Sequence, residues 1–253
     1  MKALIFDMDG TLTEPRRGIS RNMIDALRSV SNSYKLYLVT GSDMIKVEEQ
    51  IPAKVLLNVF EKVFPCNGTR VYNTNLDEDD ESGALEPELV FKETLLDHYS
   101  QSDMNHLISR LLEIAANTHT KHKTGTFVEW REGQINFSLI GRNCSSEQRE
   151  DYIIWDKKSG ERMRIVELLQ GEFKSWGLEF SIGGQISIDI TRKGWDKTCA
   201  LRYIQEDPTD CVFFGDKIFP GGNDFEIAKA CGAYYDIKSP SDLLSILTKY
   251  KPT

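Results

Sequence analysis

Two kinds of hydrophobic pattern alternate at both ends of this chain. Ala3–Phe6 and Lys35–Val39 are apolar runs of strand length, and between them Met23, Leu27 and Val30 recur at the spacing of one helical face. The same alternation returns near the end of the chain, with the apolar runs Cys211–Phe214 and Ala233–Tyr235. Strands that alternate with helices in this way predict a parallel sheet.

The pattern is different in the middle of the chain, from about Gln101 to Thr191. Apolar residues first follow a helical spacing, and alternating segments then flank short turns that contain glycine. These alternating segments predict two hairpins, Thr126–Trp130 with Gln134–Ile140 and Leu178–Ile182 with Gln185–Ile190. The middle of the chain therefore has the pattern of helices packed on an antiparallel sheet.

The whole pattern predicts an α/β chain whose Rossmann-like parallel-sheet core is interrupted by an inserted α+β domain. The core would comprise residues 1–85 and 192–253, and the insertion, an antiparallel sheet plus helices, would comprise residues 86–191. An acidic segment, Leu76–Glu88, lies near the first boundary, and the sequence assigns no role to it.

Composition narrows the classes of partner. The net charge of −8 gives no basic surface for nucleic acid, and no apolar run approaches the length of a membrane span. The five cysteines are scattered without a CxxC pair, which is typical of a reducing compartment, and the chain starts on a core strand rather than a signal peptide. We expect a cytoplasmic protein without a nucleic-acid or membrane partner.

The most informative polar positions follow the first predicted strand. Asp7 and Asp9 lie on the same side of the chain where that strand ends, and Gly10 permits a sharp turn. Open α/β sheets build their sites at this end of their strands. One carboxylate can attack phosphorus while the other transfers a proton. The alternative, two turn-forming aspartates, accounts less well for the full run Asp7–Thr13.

Other polar residues also follow core strands or precede a core helix: Thr40, Ser42, Lys197, Asp216 and Asp224. Because strand ends meet at one edge of a parallel sheet, we expect these groups to converge there. A carboxylate, a hydroxyl and an ammonium group suit phosphoryl transfer. Clustered carboxylates require a cation to offset their charge, and ligands that are all oxygen atoms favour Mg²⁺ as that cation. Considered separately, Lys197 could be a surface lysine and Asp224 a helix cap.

These motifs resemble those of the haloacid dehalogenase-like phosphotransferases. The resemblance implies that Asp7 is the nucleophile and Asp9 the general acid/base. It also implies that Lys197, with Thr40 or Ser42, binds the phosphoryl oxygens. The implied Mg²⁺ ligands are the Asp7 carboxylate, the Asp9 main-chain carbonyl and Asp216, with Asp224 supporting the site.

The inserted domain resembles the cap of eukaryotic-type phosphomannomutases, through Gly125–Arg131, Asn136–Arg142 and Ser181–Asp189. That resemblance implies a hexose phosphate substrate, a hexose 1,6-bisphosphate activator and a homodimer formed through the cap. The implied substrate-binding residues are Arg16, Arg131, Arg142, Arg149, Ser187 and Asp189. Guanidinium groups suit the substrate's second phosphate, because they bind phosphate oxygens in a fork.

Several functions remain open at this point. The favoured one is interconversion of mannose 6-phosphate and mannose 1-phosphate, and the alternative is a Mg²⁺-dependent sugar-phosphate phosphatase, which Thr40 favours slightly. A catalytically silent protein is disfavoured because every core position is present. The preference for mannose or glucose is open, and Ile227–Gly232 lacks the further cation ligands of the family, which argues against a second cation site.

Overall fold

The apolar runs from both ends of the chain form one mixed sheet in the computed structural model, which describes residues 2–74, 86–131 and 133–250. Its strands, in spatial order, are β11 (Ala233–Asp236), β10 (Cys211–Gly215), β1 (Ala3–Phe6), β2 (Lys35–Val39), β3 (Lys62–Phe64), β4 (Arg70–Asn73) and β5 (Glu88–Lys92). The strands from β11 to β3 are parallel, as predicted, and Ala3 pairs with both Lys35 and Cys211.

The last two strands of this sheet, β4 and β5, are antiparallel and were not predicted. Central parallel strands are apolar throughout because both of their faces are covered, and β1 is buried at every position. In contrast, most of β5 is exposed, so its sequence lacks that signal. The predicted fold class is confirmed, with an antiparallel edge added to the parallel core.

Helices cover both faces of this sheet: α1 (Arg21–Ser31), α2 (Met44–Gln50), α3 (Ala53–Val59), α7 (Phe225–Ala230) and α8 (Pro240–Leu247). Side chains of Ser20, Asp43 and Ser239 cap α1, α2 and α8 by accepting hydrogen bonds from first-turn amides. A 3-10 helix, Lys197–Tyr203, begins at Lys197, and its first turn is fixed by the Asp196 side chain, which accepts from the Thr198 amide at 2.8 Å.

The chain divides into two compact units. The first unit comprises Met1–Lys92 and Trp195–Thr253, and the second comprises Glu93–Gly194. The predicted insertion began at residue 86, but β5 pairs with β4 and so belongs to the first unit. Residues 76–85 of the acidic segment lie outside the described residues. In the part of the chain that the structure describes, no helix has the length and apolar character needed to cross a bilayer.

The second unit contains a four-stranded antiparallel sheet in the order β6 (Val128–Trp130), β7 (Ile135–Ser138), β9 (Ser187–Arg192) and β8 (Leu178–Gly183). Its helices are α4 (Gln101–Asn117), α5 (Ser146–Ser159) and α6 (Glu161–Glu172). Both predicted hairpins are confirmed. The alternation gives the sheet an apolar face, which includes Phe137, Ile188 and Ile190, while Asn136, Ser187 and Asp189 lie on the opposite face.

Candidate active site

The site of the first unit begins where β1 ends. The Asp7 amide donates to the Phe214 carbonyl at 2.9 Å, which continues the β1–β10 pairing by one residue. The chain then turns at Gly10, whose φ of +94° is a conformation that favours glycine. The Gly10 amide closes the turn by donating to the Thr13 carbonyl at 2.7 Å. The Asp7 side chain is buried at the base of this turn.

Lys197 joins two of the predicted aspartates. Its ammonium contacts Oδ1 of Asp7 and lies 2.6 Å from Oδ1 of Asp224, and all three side chains are buried. The other oxygen of Asp224 accepts from the amides of Asp216 and Lys217, both at 3.1 Å. Asp224 precedes α7, but its side chain does not cap that helix, so the helix-cap alternative is wrong. The surface-lysine alternative is equally wrong for Lys197.

The carboxylates of Asp7, Asp216 and Asp224 form a cluster whose potential ligand atoms all lie within 4.8 Å of one another. Oδ1 of Asp216 is buried without a hydrogen-bond partner. The turn approaches this cluster closely, because a Cβ added to Gly10 would lie 2.5 Å from Oδ2 of Asp216. An unsatisfied carboxylate oxygen in an all-oxygen donor set fits a hard divalent cation. The Asp224 oxygens already bind Lys197 and two amides, so its contribution to such a site is support.

The electrostatics of the cluster favour a bound cation. Burial raises the pKa of Asp7 to about 7, with Asp224 and Asp216 acting in the same direction and Lys197 opposing them. Burial likewise raises the pKa of Asp216. Burial would lower the pKa of Lys197, but the charges of Asp7 and Asp224 outweigh it and raise that pKa. Lys197 forms ion pairs with Asp7 and Asp224, whereas Asp216 has, among the described residues, only the half-exposed ammonium of Lys217 as an ion-pair partner, 3.9 Å from its Oδ1.

Asp9 has a separate set of partners. Ser42 Oγ donates to its Oδ2 at 3.2 Å, and Gln50 Nε2 donates to its Oδ1 at 3.1 Å. The buried hydroxyl of Thr40 accepts from the Ser42 amide at 3.1 Å and so supports the Ser42 turn. The Asp9 side chain is not part of the three-carboxylate cluster, which is compatible with the main-chain ligand role predicted for this residue.

A network in the second unit joins two predicted arginines to the predicted Asp189. Arg131 donates from Nε to Glu129 Oε2 at 2.7 Å, and Arg142 Nε lies 3.2 Å from the same oxygen. Arg142 also donates from a terminal nitrogen to Asn136 Oδ1 at 2.7 Å, and Asn136 Nδ2 donates to Asp189 Oδ1 at 2.6 Å. We call these five residues the Glu129 network. Burial raises the pKa of Asp189, while Asn136 and the two arginines oppose that change.

The other predicted substrate-binding residues lie outside this network. Ser187 begins β9 and is buried, and its carbonyl accepts from Arg162 at 3.1 Å. Arg149 is half-buried on α5, and no hydrogen bond or ion pair joins it to the Glu129 network within the described ranges. Arg16 is in the first unit, exposed, in a turn where its φ of +64° is unusual for a residue with a side chain.

Comparison with known proteins decides the family. The sequence model described as "Eukaryotic phosphomannomutase" matches residues 23–251. The chain belongs to the eukaryotic phosphomannomutase family. It is 39% identical to Phosphomannomutase 2 of Dictyostelium discoideum, over 97% of this chain and 95% of that protein. It is 37% identical to the phosphomannomutase of Spinacia oleracea, over 97% of this chain and 94% of that protein.

Solved structures extend the likeness at the level of the fold. A haloacid dehalogenase-like hydrolase from Bacteroides thetaiotaomicron aligns with a TM-score of 0.62 at 13% identity, covering 98% of each chain. The Plasmodium falciparum IMP-nucleotidase aligns with a TM-score of 0.61 at 15% identity, covering 98% of this chain and 67% of that one. The predicted family is confirmed, and membership in the phosphomannomutase family makes the chain an enzyme of the phosphotransferase type.

Sequence reasoning assigned no role to Gln50, Glu129, Asn136 or Arg162, which all contact predicted site residues of this phosphomannomutase-family chain. Gln50 lies three positions after the buried Val47 on α2, so helical spacing places a polar group on the buried face. Alternation along β6 and β7 likewise places Glu129 and Asn136 opposite each other. The available signals were therefore a polar residue on the buried face of α2 for Gln50, and paired polar residues on the face opposite the apolar one for Glu129 and Asn136.

Proposed function

We propose that this chain interconverts mannose 6-phosphate and mannose 1-phosphate through an aspartyl-phosphate on Asp7. A hexose 1,6-bisphosphate, of mannose or glucose, would be both the intermediate and the activator. The family match over residues 23–251 is the observation that supports this reaction most strongly. The buried pairing of Asp7 with Lys197 supports the choice of nucleophile.

In this mechanism, Asp7 first carries a phosphoryl group taken from a hexose 1,6-bisphosphate. Asp9 removes the proton from the hydroxyl of the bound mannose phosphate as that hydroxyl attacks the phosphoryl group on Asp7, which forms the bisphosphate and frees the Asp7 carboxylate. The bisphosphate turns end for end, a carboxylate oxygen of Asp7 attacks its other phosphate, and Asp9 returns the proton to the sugar oxygen that leaves, so the isomer is released and Asp7 is phosphorylated again. Ser42 and Gln50 orient Asp9 for both proton transfers, and Lys197 offsets negative charge on the Asp7 side.

The cluster of Asp7 and Asp216, with the main-chain carbonyl of Asp9, would hold Mg²⁺, and Asp224 would support it by fixing Lys197 and the Asp216 amide. Bound Mg²⁺ supplies charge neutralisation to phosphoryl transfer. No second cation is proposed, because the segment after Asp224 forms α7 with Ile227 and Ala228 buried.

The second phosphate of the sugar would bind to arginines, and the hydroxyls of the sugar to polar groups of the second unit. A guanidinium fork matches phosphate oxygens. The residues proposed for these contacts are Arg16, Arg131, Arg142, Arg149, Ser187 and Asp189.

An assay with Mg²⁺, mannose 1-phosphate and a trace of hexose bisphosphate tests the function by following isomer and inorganic phosphate together. We expect isomer to form faster than phosphate and to depend on the bisphosphate. Release of phosphate alone would replace the mutase with the phosphatase that Thr40 favours. Asp7→Asn should abolish both products, and retained turnover would disprove the role of Asp7.

We also propose that the enzyme acts in the cytoplasm as a homodimer joined through the second unit, supplying mannose 1-phosphate for GDP-mannose synthesis. Five free cysteines support a reducing compartment. The resemblance of the second unit to the family's cap supports the dimer. Light scattering should give twice the mass of the chain, and a monomer at micromolar concentration would contradict the dimer.

A further inference from the structure

One carboxylate oxygen occupies the point where two arginines of the second unit converge. Oε2 of Glu129 accepts from two nitrogens of the Arg131 guanidinium and forms an ion pair with Arg142. The N–H groups that donate to Glu129 are the groups with which a guanidinium binds phosphate oxygens. The anion-binding groups of both arginines are therefore directed at a carboxylate of the chain itself.

The sheet places Glu129 there by register. Glu129 on β6 pairs with Asn136 on β7, which pairs with Asp189 on β9, so these three side chains lie in one row on one face. Asn136 connects the two ends of the row by donating to Asp189 and accepting from Arg142. The network contains two guanidinium groups and two carboxyl groups, so the charge of the arginines is largely balanced before any substrate binds.

We propose that Glu129 is a specificity-determining residue that competes with the substrate's second phosphate for Arg131 and Arg142. This inference rests on the proposed function, because it assigns that phosphate to these arginines. Phosphate binds in exchange for Glu129, whose side chain is 35% exposed and so already borders solvent. In the absence of phosphate, Glu129 keeps the two guanidinium groups together.

Competition selects for phosphate. A phosphate monoester has about −1.5 to −2 charges near pH 7 and three acceptor oxygens, whereas Glu129 has one charge and two oxygens. A phosphate ester therefore displaces the carboxylate, while a sugar hydroxyl or a sugar carboxylate does not. The same exchange speeds release, because Glu129 returns to the arginines as the phosphate leaves. A bisphosphate that must turn end for end requires such a reversible contact.

Glu129→Gln tests the competition, since it keeps the shape of the side chain and removes the charge. We expect about tenfold tighter binding of mannose 6-phosphate by calorimetry, a lower KM and a lower kcat, because release slows. Glu150→Gln removes the same charge from an exposed position on α5 and should change none of these values. Arg142→Gln should weaken binding.

The variants distinguish the possible failures. If Arg142→Gln and Glu129→Gln both leave binding unchanged, the proposed role of the arginines fails. If Arg142→Gln weakens binding while Glu129→Gln weakens it or leaves it unchanged, only the competition is overturned, and Glu129 merely positions the arginines. If Glu129→Gln lowers the melting temperature too far for assay, Glu129→Asp serves instead. Its shorter side chain should still tighten binding, and weaker or unchanged binding would overturn the proposal.

Discussion

Gln50 donates a hydrogen bond from Nε2 to Oδ1 of Asp9 at 3.1 Å, and its Oε1 accepts from Thr13 Oγ1 at 2.8 Å. Gln50 is only 5% exposed, so water does not replace these bonds readily. The last residue of α2 thereby connects Asp9 to the end of the turn that follows β1.

Gln50→Met should reduce kcat about tenfold, because it keeps the bulk of the side chain but leaves Asp9 without one of its two donors. It should also lower the free energy of unfolding by about 1–3 kcal/mol, since the buried Thr13 hydroxyl loses a partner. Steady-state kinetics and urea unfolding measure the two effects. Gln101→Met, at an exposed position on α4, is the control, and an unchanged kcat in a folded Gln50→Met variant would refute the orienting role.

Lys197→Met should destabilise the metal-free protein by about 3–5 kcal/mol, because it leaves buried carboxylates without their cation. Urea unfolding in EDTA measures this loss. Lys193→Met, at an exposed position, should change stability by about 0.5 kcal/mol or less. Saturating Mg²⁺ should recover part of the loss, since it neutralises the same cluster. Equal stability of the two variants in EDTA would contradict the structural role of Lys197.

The stabilisation by Mg²⁺ should increase with pH. The folded-state pKa of Asp7 is about 7, above its ordinary 3.8, so the folded chain holds a proton that the unfolded chain has released. Between these values the metal-free protein loses stability as pH rises. Mg²⁺ binds the deprotonated carboxylate and offsets this loss.

Melting temperatures in EDTA and in Mg²⁺, measured at about pH 5 and about pH 8, test this coupling. The difference between the two conditions should be larger at the higher pH. In Asp7→Asn the dependence on pH should diminish, because the titrating group is gone. A difference that is equal at both pH values in the unmodified protein would show that Asp7 is not linked to the metal site.

Arg162 fixes the hairpin that contains Ser187 and Asp189. Its Nε donates to Asp156 at 2.8 Å, and a terminal nitrogen donates to the carbonyls of Gly184 and Ser187 at 3.0 and 3.1 Å. Arg162→Lys should lower the free energy of unfolding by about 3–5 kcal/mol, because an ammonium group cannot donate to Asp156 and to the two hairpin carbonyls at the same time.

The same variant should raise KM for mannose 1-phosphate more than it lowers kcat, since the displaced hairpin is proposed to bind sugar hydroxyls. Arg164→Lys, at an exposed position on the same helix, is the matched control. Equal melting temperatures for Arg162→Lys and Arg164→Lys would rule out the proposed support of the hairpin.

Much of the fold was predictable because burial leaves a periodic signal. β1 and β2 match their predicted bounds. β4 and β5 could not be found, since these partly exposed strands lack a continuous apolar run. The convergence of Asp7, Lys197 and Asp216 was predictable from their positions beside core strands or a core helix.

The sequence by itself determined the local chemistry of this protein, because Asp7–Thr13 and the strand before it are contiguous and their pattern is local. Only the tertiary structure decided which side chains form hydrogen bonds and ion pairs with one another. Gln50, on α2, donates to Asp9 in the turn after β1. Lys197 forms ion pairs with both Asp7 and Asp224, and Glu129 forms an ion pair with Arg142. Hydrogen bonds and ion pairs act over a few ångströms in space, and separation along the chain does not predict that distance.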